Sequence, residues 1–287
     1  MAILEGDDVV RVSTRSGQVR VRVIGEGPPV LLVHSLLVDP DLYADLAPML
    51  VASGWRCIIP ELPFGAHALP LDSDADLTPT GLAHLLVEVL DALSIETVHV
   101  VGVDTGGALT QILMADHRSR VDRVVLTACD AYKEFPPTTF IGRVFRPVFW
   151  PAVTAVAAAA LLLRPVRRLV TLSPITHRGV DDEVVKRWVA PLRDSRVRRD
   201  VRKAFRQMAP RYTLAAAAAN HDFPRPVLIA WGDDTRLFRR SLAERLAKDL
   251  PYSRYITISD CAAFAALDQP GELARLTDEH LRAEAVG

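Results

Sequence analysis

An aspartate stands at the centre of a glycine-rich turn in the segment VGVDTGGAL, residues 101–109. Gly102 and Gly106 flank Asp104 with the spacing small–x–nucleophile–x–small, the form of a nucleophile elbow with aspartate in place of the commoner serine. Glycine is needed on both sides because a Cβ atom would clash in so tight a strand-to-helix turn. The pattern therefore indicates a carboxylate nucleophile presented at the top of a sheet. An Asp-Thr-Gly-Gly segment also serves as an ordinary helix N-cap, and this alternative stays open here.

The elements that must position Asp104 alternate between strands and helices from residue 9 to about residue 130. A hairpin across the turn RSGQ is followed by β-branched runs such as PVLLVH, TVHVVG and RVVLTA, with helical patterns between them. Strands that are buried on both faces and spaced by helices predict a parallel sheet with right-handed crossovers. From about residue 134 the pattern is helical only, and the alternation resumes after residue 215. We therefore predict an α/β core of residues 1–133 and 216–287 with an inserted helical cap, residues 134–215.

Composition limits the classes of partner. The formal net charge is −1 and the pI is about 6.7, so no global field recruits nucleic acid or an anionic membrane. The three cysteines have no metal-ligand spacing, and the apolar run FWPAVTAVAAAALLL is too short to span a membrane comfortably. No signal peptide is evident at the N-terminus. We expect a cytoplasmic protein, a monomer or homodimer, that binds a small-molecule substrate and needs neither metal nor cofactor.

Five segments, in order along nearly the whole chain, resemble the α/β-hydrolase superfamily in the branch with aspartate nucleophiles, which includes haloalkane dehalogenases and epoxide hydrolases. They are GEGPPVLLVHS, IIPELPFGAH, VGVDTGG, PVLIAWGDDTRLF and DCAAFAALDQPGELA. The resemblance implies an α/β-hydrolase fold, with a mostly parallel central sheet and helices on both faces. It also implies that Asp104 attacks a carbon atom and that a histidine then activates water. The implied oxyanion hole uses the backbone N–H of Thr105 and one from Ser35 or Leu36.

The loop that carries the histidine in this family departs from the pattern. Aligning DCAAFAALDQP with that loop places Ala263 at the histidine position, and alanine cannot accept a proton. Asp130, at the end of the strand after the elbow helix, occupies the alternative position for the acid, and we rank it above Asp234. Among the other histidines, His67 is a candidate replacement because its loop is predicted at the carboxyl edge of the sheet.

Further side chains are candidates to line the substrate site: His34, Tyr132, His177 and Tyr212. Epoxide hydrolases use cap tyrosines to protonate the opening ring, and the resemblance offers that role to Tyr212 and Tyr132. Either ring could instead simply pack at the cap boundary. Dehalogenation is not expected, because haloalkane dehalogenases hold the halide with a tryptophan after the nucleophile and an asparagine or second tryptophan. This chain has Thr105 and Leu36 at the corresponding positions.

Three functions remain open from the sequence. The first is a hydrolase of a small ester, lactone or epoxide with Asp104 as nucleophile, which is the superfamily default and ranks first. The second is a non-hydrolytic catalyst, such as a lyase, isomerase or cyclase, in which Asp104 moves a proton. The third is a binding protein that keeps the pocket and has lost turnover.

Overall fold

The computed structural model describes residues 8–136, 151–166 and 175–283. The strands, numbered in chain order, are β1 Val9–Thr14, β2 Gly17–Ile24, β3 Pro29–Val33, β4 Arg56–Pro60, β5 Val98–Asp104, β6 Val121–Cys129, β7 Val227–Gly232 and β8 Ser253–Ile258. The α-helices are α1 Leu46–Ala52, α2 Pro79–Ala92, α3 Thr105–Asp116, α4 Pro151–Leu161, α5 Asp182–Val189, α6 Ser195–Gln207, α7 Pro210–Ala219, α8 Arg240–Asp249, α9 Ala265–Asp268 and α10 Pro270–Arg282.

The strands of the described residues form one sheet in the order β1-β2-β4-β3-β5-β6-β7-β8. β2 is antiparallel to both β1 and β4, and every pairing from β4 to β8 is parallel. All of β7 and all but one residue of β6 are buried, because helices cover both faces of the parallel part. The predicted hairpin followed by a mostly parallel α/β sheet is confirmed.

The register of the central strands brings three loops together at one edge. In the pairing of β3 with β5, Val33 lies opposite Gly102, and in the pairing of β5 with β6, Asp104 lies opposite Cys129. The residues that follow the carboxyl ends of β3 and β6 therefore flank Asp104. In an open α/β sheet this edge is where ligands bind.

Helices α5, α6 and α7 contact loops at the same edge. The indole N–H of Trp188 donates to Asp39 at 2.8 Å, Asp200 accepts the backbone N–H of Leu71 at 2.9 Å, and the Thr213 hydroxyl donates to the backbone oxygen of Tyr132 at 2.6 Å. The boundaries 134 and 215 stay a prediction, because residues 137–150 and 167–174 lie outside the described residues and α7 runs across residue 215.

Helix α4 covers most of the apolar run noted in the sequence, and it is 11 residues long. The first two residues of that run, at 149 and 150, lie outside the described residues. Within the part of the chain that the structure describes, each helix is too short or too polar to cross a membrane.

Candidate active site

Asp104 occupies the turn between β5 and α3. Its backbone has φ 52° and ψ −124°, a conformation that is strained for any residue other than glycine. A Cβ atom on Gly106 would collide with the backbone oxygen of Val33, and one on Gly107 would collide with the side chain of Cys129. The glycines therefore allow α3 to approach β3 and β6 closely. The structure has the tight strand-to-helix turn that they predict.

The Ser35 hydroxyl holds the Asp104 carboxylate by donating to its Oδ2 atom. The backbone N–H of Thr105 is near enough to lower the pKa of the carboxyl group but makes no hydrogen bond of normal geometry to it. The Asp104 side chain makes no capping hydrogen bond to the first turn of α3, so it does not act as an ordinary N-cap. Leu36 is half-buried, and the next residue, Leu37, donates its N–H to Phe64 at 2.9 Å. The oxyanion hole of Thr105 with Ser35 or Leu36 stays a prediction.

The surroundings of Asp104 raise the pKa of its carboxyl group. Burial disfavours the charged form and raises the pKa to about 6, although the Ser35 hydroxyl and the nearby Thr105 N–H oppose this shift. The carboxylate form therefore predominates at neutral pH, with an oxygen that is less stabilised by solvent than that of an exposed aspartate. Such a group can act as a nucleophile or as a general base.

Asp130 follows β6 directly and is completely buried. Neither of its carboxyl oxygens has a hydrogen-bond partner among the described residues. Burial, then the charges of Asp104 and Glu134, raise the pKa of Asp130 well above its usual range; the Thr105 hydroxyl opposes this shift without completing a hydrogen bond of normal geometry. These surroundings favour the protonated form of Asp130 over that of an exposed aspartate. The sequence identified this acid, and the structure places it beside Asp104.

His34 is a buried connector between two loops. Its Nδ1 lies 2.8 Å from the backbone oxygen of Ser35, and its Nε2 accepts the backbone N–H of Leu62 at 2.9 Å. Burial lowers the pKa of His34 to about 4, so the ring is neutral, with Nδ1 donating and Nε2 accepting. His34 was predicted to line the substrate site. In the structure it fixes the loop that carries Ser35 instead, because both ring nitrogens are occupied.

His67 is also buried, and both of its ring nitrogens have hydrogen-bond partners. Its Nδ1 accepts the backbone N–H of Gly65 at 3.2 Å, and its Nε2 lies 3.3 Å from the Asp200 carboxylate on α6. Asp200 also pairs with the Arg199 guanidinium and accepts the N–H of Leu71. These contacts tie the loop after β4 to α6. The catalytic role that we predicted for His67 has no contact with Asp104 to support it.

All eight histidines lie among the described residues, and none has a hydrogen bond or ion pair to Asp104 there. His177 and Asp234, predicted as a substrate-lining residue and a catalytic acid, form a pair with each other at 3.2 Å. Their side chains are 39% and 52% exposed, so this pair lies at the surface. Asp234 follows β7 and meets the imidazole of His177 rather than one beside Asp104, and its catalytic role stays a prediction.

Ala263 is completely buried in the loop between β8 and α9. This loop is held by two carboxylates: Asp233 accepts the N–H of Cys261 at 3.1 Å, and Asp268 accepts the N–H of Ala262 at 2.9 Å. Asp268 is buried and also accepts the N–H of His177, which joins the loop to the segment before α5. Sequence reasoning did not identify Asp268. The signal available was an acid in the short helix that follows an otherwise apolar loop.

Comparison with known proteins identifies the family to which this chain belongs. The family model for the alpha/beta hydrolase fold matches residues 28–270, most of the chain. This protein belongs to the α/β-hydrolase fold family.

Its relatives are hydrolases. Haloalkane dehalogenase 2 of Mycobacterium tuberculosis is 25% identical over 271 residues, 87% of this chain and 86% of the relative, and the 2-hydroxymuconate semialdehyde hydrolase of Pseudomonas sp. is 25% identical over 277 residues, 90% and 88%. A haloalkane dehalogenase of Psychrobacter cryohalolentis is 34% identical over 116 residues, 39% of this chain and 38% of that enzyme. The crystal structure of the haloalkane dehalogenase DbeA from Bradyrhizobium elkani superposes with a TM-score of 0.78 at 20% identity, covering 94% of this chain and 96% of DbeA. The chain is thus a hydrolase-family member with the fold that its sequence predicts.

The hydroxyl groups of the two tyrosines to which the resemblance assigns ring protonation form hydrogen bonds with other side chains in this α/β-hydrolase. The Tyr132 hydroxyl donates to Asp249 on α8 at 2.9 Å, and the Arg245 guanidinium lies 3.8 Å from the centre of its ring. The Arg211 guanidinium donates to the Tyr212 hydroxyl at 3.0 Å and stacks over the ring. Tyr132 joins the loop after β6 to α8, which explains its burial better than a role in substrate binding.

Among the described residues, no three histidine, cysteine, aspartate or glutamate side chains are placed to share a metal ion. A surface cleft of about 690 Å³ lies elsewhere, where the β1–β2 turn meets α2, and its lining includes Arg15, His84 and Glu88. Its lining includes neither Asp104 nor Asp130. The strained elbow and the perturbed acids make the edge of the sheet around Asp104, rather than this cleft, the candidate active site.

Proposed function

We propose that this protein hydrolyses a small ester, lactone or epoxide and that Asp104 is the nucleophile. The observation that carries the proposal is the Asp104 carboxylate, which is presented by a strained strand-to-helix turn and oriented by the Ser35 hydroxyl. A nucleophile held in one orientation loses little further entropy on reaching its transition state. The hydrolase relatives support the same class of reaction.

The first step would form a covalent intermediate. With an epoxide, an Asp104 oxygen bonds to a ring carbon, the carbon–oxygen bond of the ring breaks, and the released oxygen takes up a proton. The product is an ester of Asp104. Water must then cleave that ester, a step that a histidine assists in the related family.

The second step distinguishes this chain from a complete triad. Ala263 occupies the position that the resemblance assigns to the histidine, and none of the histidines bonds to Asp104 in the described structure. Loss of general-base assistance slows a step by roughly 10²–10⁴-fold. The ester intermediate should therefore be long-lived.

Intact-protein mass spectrometry tests the proposal. After exposure to a panel of small epoxides, lactones and activated esters, an adduct should appear and map to Asp104 after proteolysis. Asp104→Asn should form no adduct. Asp116→Asn is the matched control, because Asp116 is an exposed carboxylate at the other end of α3 and its variant should react like the wild type. Ala263→His should shorten the lifetime of the adduct if Asp130 orients the new imidazole.

A proton-transfer catalyst is the second candidate, and the pairing of Asp104 with Asp130 favours it. Burial raises the pKa of both carboxyl groups, to about 6 for Asp104 and well above the usual range for Asp130, so two acids in different environments lie side by side. Such a pair can move a proton without a histidine. Transformation of a substrate that depends on Asp104 but leaves no adduct would favour this candidate over the nucleophile.

A further inference from the structure

Asp130 differs from the other buried acids of the described chain. Asp41 pairs with Arg22 at 2.6 Å, and Glu61 accepts the N–H of Ala68 at 3.0 Å. Asp200 and Asp268 likewise accept several donors, as described above. Asp130 is completely buried as well, yet both of its carboxyl oxygens lack a partner. Burying a carboxyl group without a hydrogen-bond donor lowers the stability of the fold, and the other buried acids have donors.

No positive charge among the described residues acts on Asp130. The charged groups that do act on it are Asp104 and Glu134, both acids, and the same two aspartates raise the pKa of the neighbouring Cys129 thiol. Its main chain is fixed, because Gln111 donates to the backbone oxygen at 2.8 Å. The side chain is therefore held next to the Asp104 carboxylate in a site that lacks a cationic partner among the described residues.

The side chain at the position implied for the histidine cannot supply the missing donor. Ala263 is a buried methyl group, and the loop around it directs the N–H of Ala262 to Asp268 and the N–H of Phe264 to Ile175. Neither this loop nor any other group among the described residues supplies a nitrogen base that pairs with Asp130.

We propose that the substrate of this site carries a basic nitrogen, as an amine, an amidine or an azole, which binds against Asp130 while its electrophilic carbon faces Asp104. An amine or amidine reaches the site as a cation, so a protonated Asp130 releases its proton to water and pairs with that cation as a carboxylate; a neutral azole instead takes the proton from Asp130 directly, and the same ion pair results. Charge-assisted hydrogen bonds of this kind are the strong ones in proteins. The cation also offsets the repulsion between Asp130 and Asp104. This inference rests on the proposed function for the role of Asp104 and adds the class of substrate.

Calorimetric titration with benzylamine, imidazole and benzyl alcohol tests the inference at pH 7. Benzylamine and imidazole should bind, and benzyl alcohol, which matches benzylamine in shape without a basic nitrogen, should bind at least tenfold more weakly. Asp130→Asn should weaken binding of the two bases about tenfold to a hundredfold, the size expected for a hydrogen bond to a charged group. Ala263→His should weaken it too, because the new imidazole competes for Asp130. Asp116→Asn is again the control and should bind like the wild type.

Equal binding of benzylamine and benzyl alcohol by the wild type would overturn the inference, and that comparison needs no variant to fold. Unchanged binding of both bases by Asp130→Asn would overturn it as well. Failure of this inference can be told apart from failure of the proposed function. If an adduct forms on Asp104 but bases bind no better than benzyl alcohol, the nucleophile is supported and the basic substrate is refuted. If bases bind to both the wild type and Asp104→Asn but the wild type forms no adduct, the basic substrate is supported and the nucleophile is refuted.

Discussion

Replacing Asp104 with asparagine should stabilise the protein at neutral pH while removing its reactivity. Asparagine keeps an oxygen that can accept from Ser35 and has no charge to bury. Asp104 has a pKa of about 6 in the folded chain against 3.8 as the ordinary value, so the folded state holds the carboxylate less well than the unfolded state does. The shift is equivalent to about 3 kcal/mol, since one pKa unit is about 1.4 kcal/mol.

The effect has a defined sign with pH. Below the unfolded pKa both states hold the proton, and Asp104 costs nothing. As the pH rises toward 6, the unfolded chain releases the proton and the folded chain keeps it, so the free energy of unfolding of the wild type falls. The advantage of Asp104→Asn should thus grow from about 1 kcal/mol at pH 4.5 to about 3 kcal/mol at pH 7.5, by the linkage relation. Because the side chain is partly exposed, solvent screening reduces these values, and about 1–2 kcal/mol at pH 7.5 is the expected result.

Urea unfolding followed by the fluorescence of the four tryptophans measures this difference at both pH values. Asp116→Asn removes an exposed carboxylate of the same helix and should change the free energy of unfolding little at either pH. If Asp104→Asn proves less stable than the wild type at pH 7.5, or if its advantage does not depend on pH, then burial of the charge is not what raises the pKa of Asp104 and the reasoning is wrong.

Three further outcomes are expected. Gly106→Ala should lower the free energy of unfolding by several kcal/mol, on the order of the cost of overpacking, because its methyl group collides with the backbone oxygen of Val33; a loss below about 1 kcal/mol in urea unfolding would contradict this. Ser35→Ala should raise the pKa of Asp104 above about 6, since a donor to the charged form is lost, and the alkaline shift should be visible in the pH profile of adduct formation or turnover. Haloalkanes should release no halide at a useful rate, and halide release that disappears in Asp104→Ala would refute the argument from Thr105 and Leu36.

The sequence alone predicted the scaffold and the central acid. The β-branched runs and the helical patterns between them were enough to predict a mostly parallel sheet, because strands covered on both faces are apolar throughout. The glycines around Asp104 predicted the elbow, since few other structures need so many small residues at one turn. Asp130 was identified from its position after the next strand of the sheet. These features are local, or follow from the order of elements along the chain.

The tertiary structure decided what each polar side chain contacts. His34 and His67 look like candidates in a sequence, but one ring nitrogen of each bonds within its own loop. The other bonds to a distant group, the N–H of Leu62 for His34 and the Asp200 carboxylate on α6 for His67. The Tyr132 hydroxyl is taken by Asp249, 117 residues away along the chain. The Ser35 hydroxyl on Asp104 and the unpartnered carboxyl of Asp130 could not be read from spacing either. A hydrogen bond depends on atoms a few ångströms apart, and residues distant in sequence reach that separation only when the whole sheet and its loops have packed.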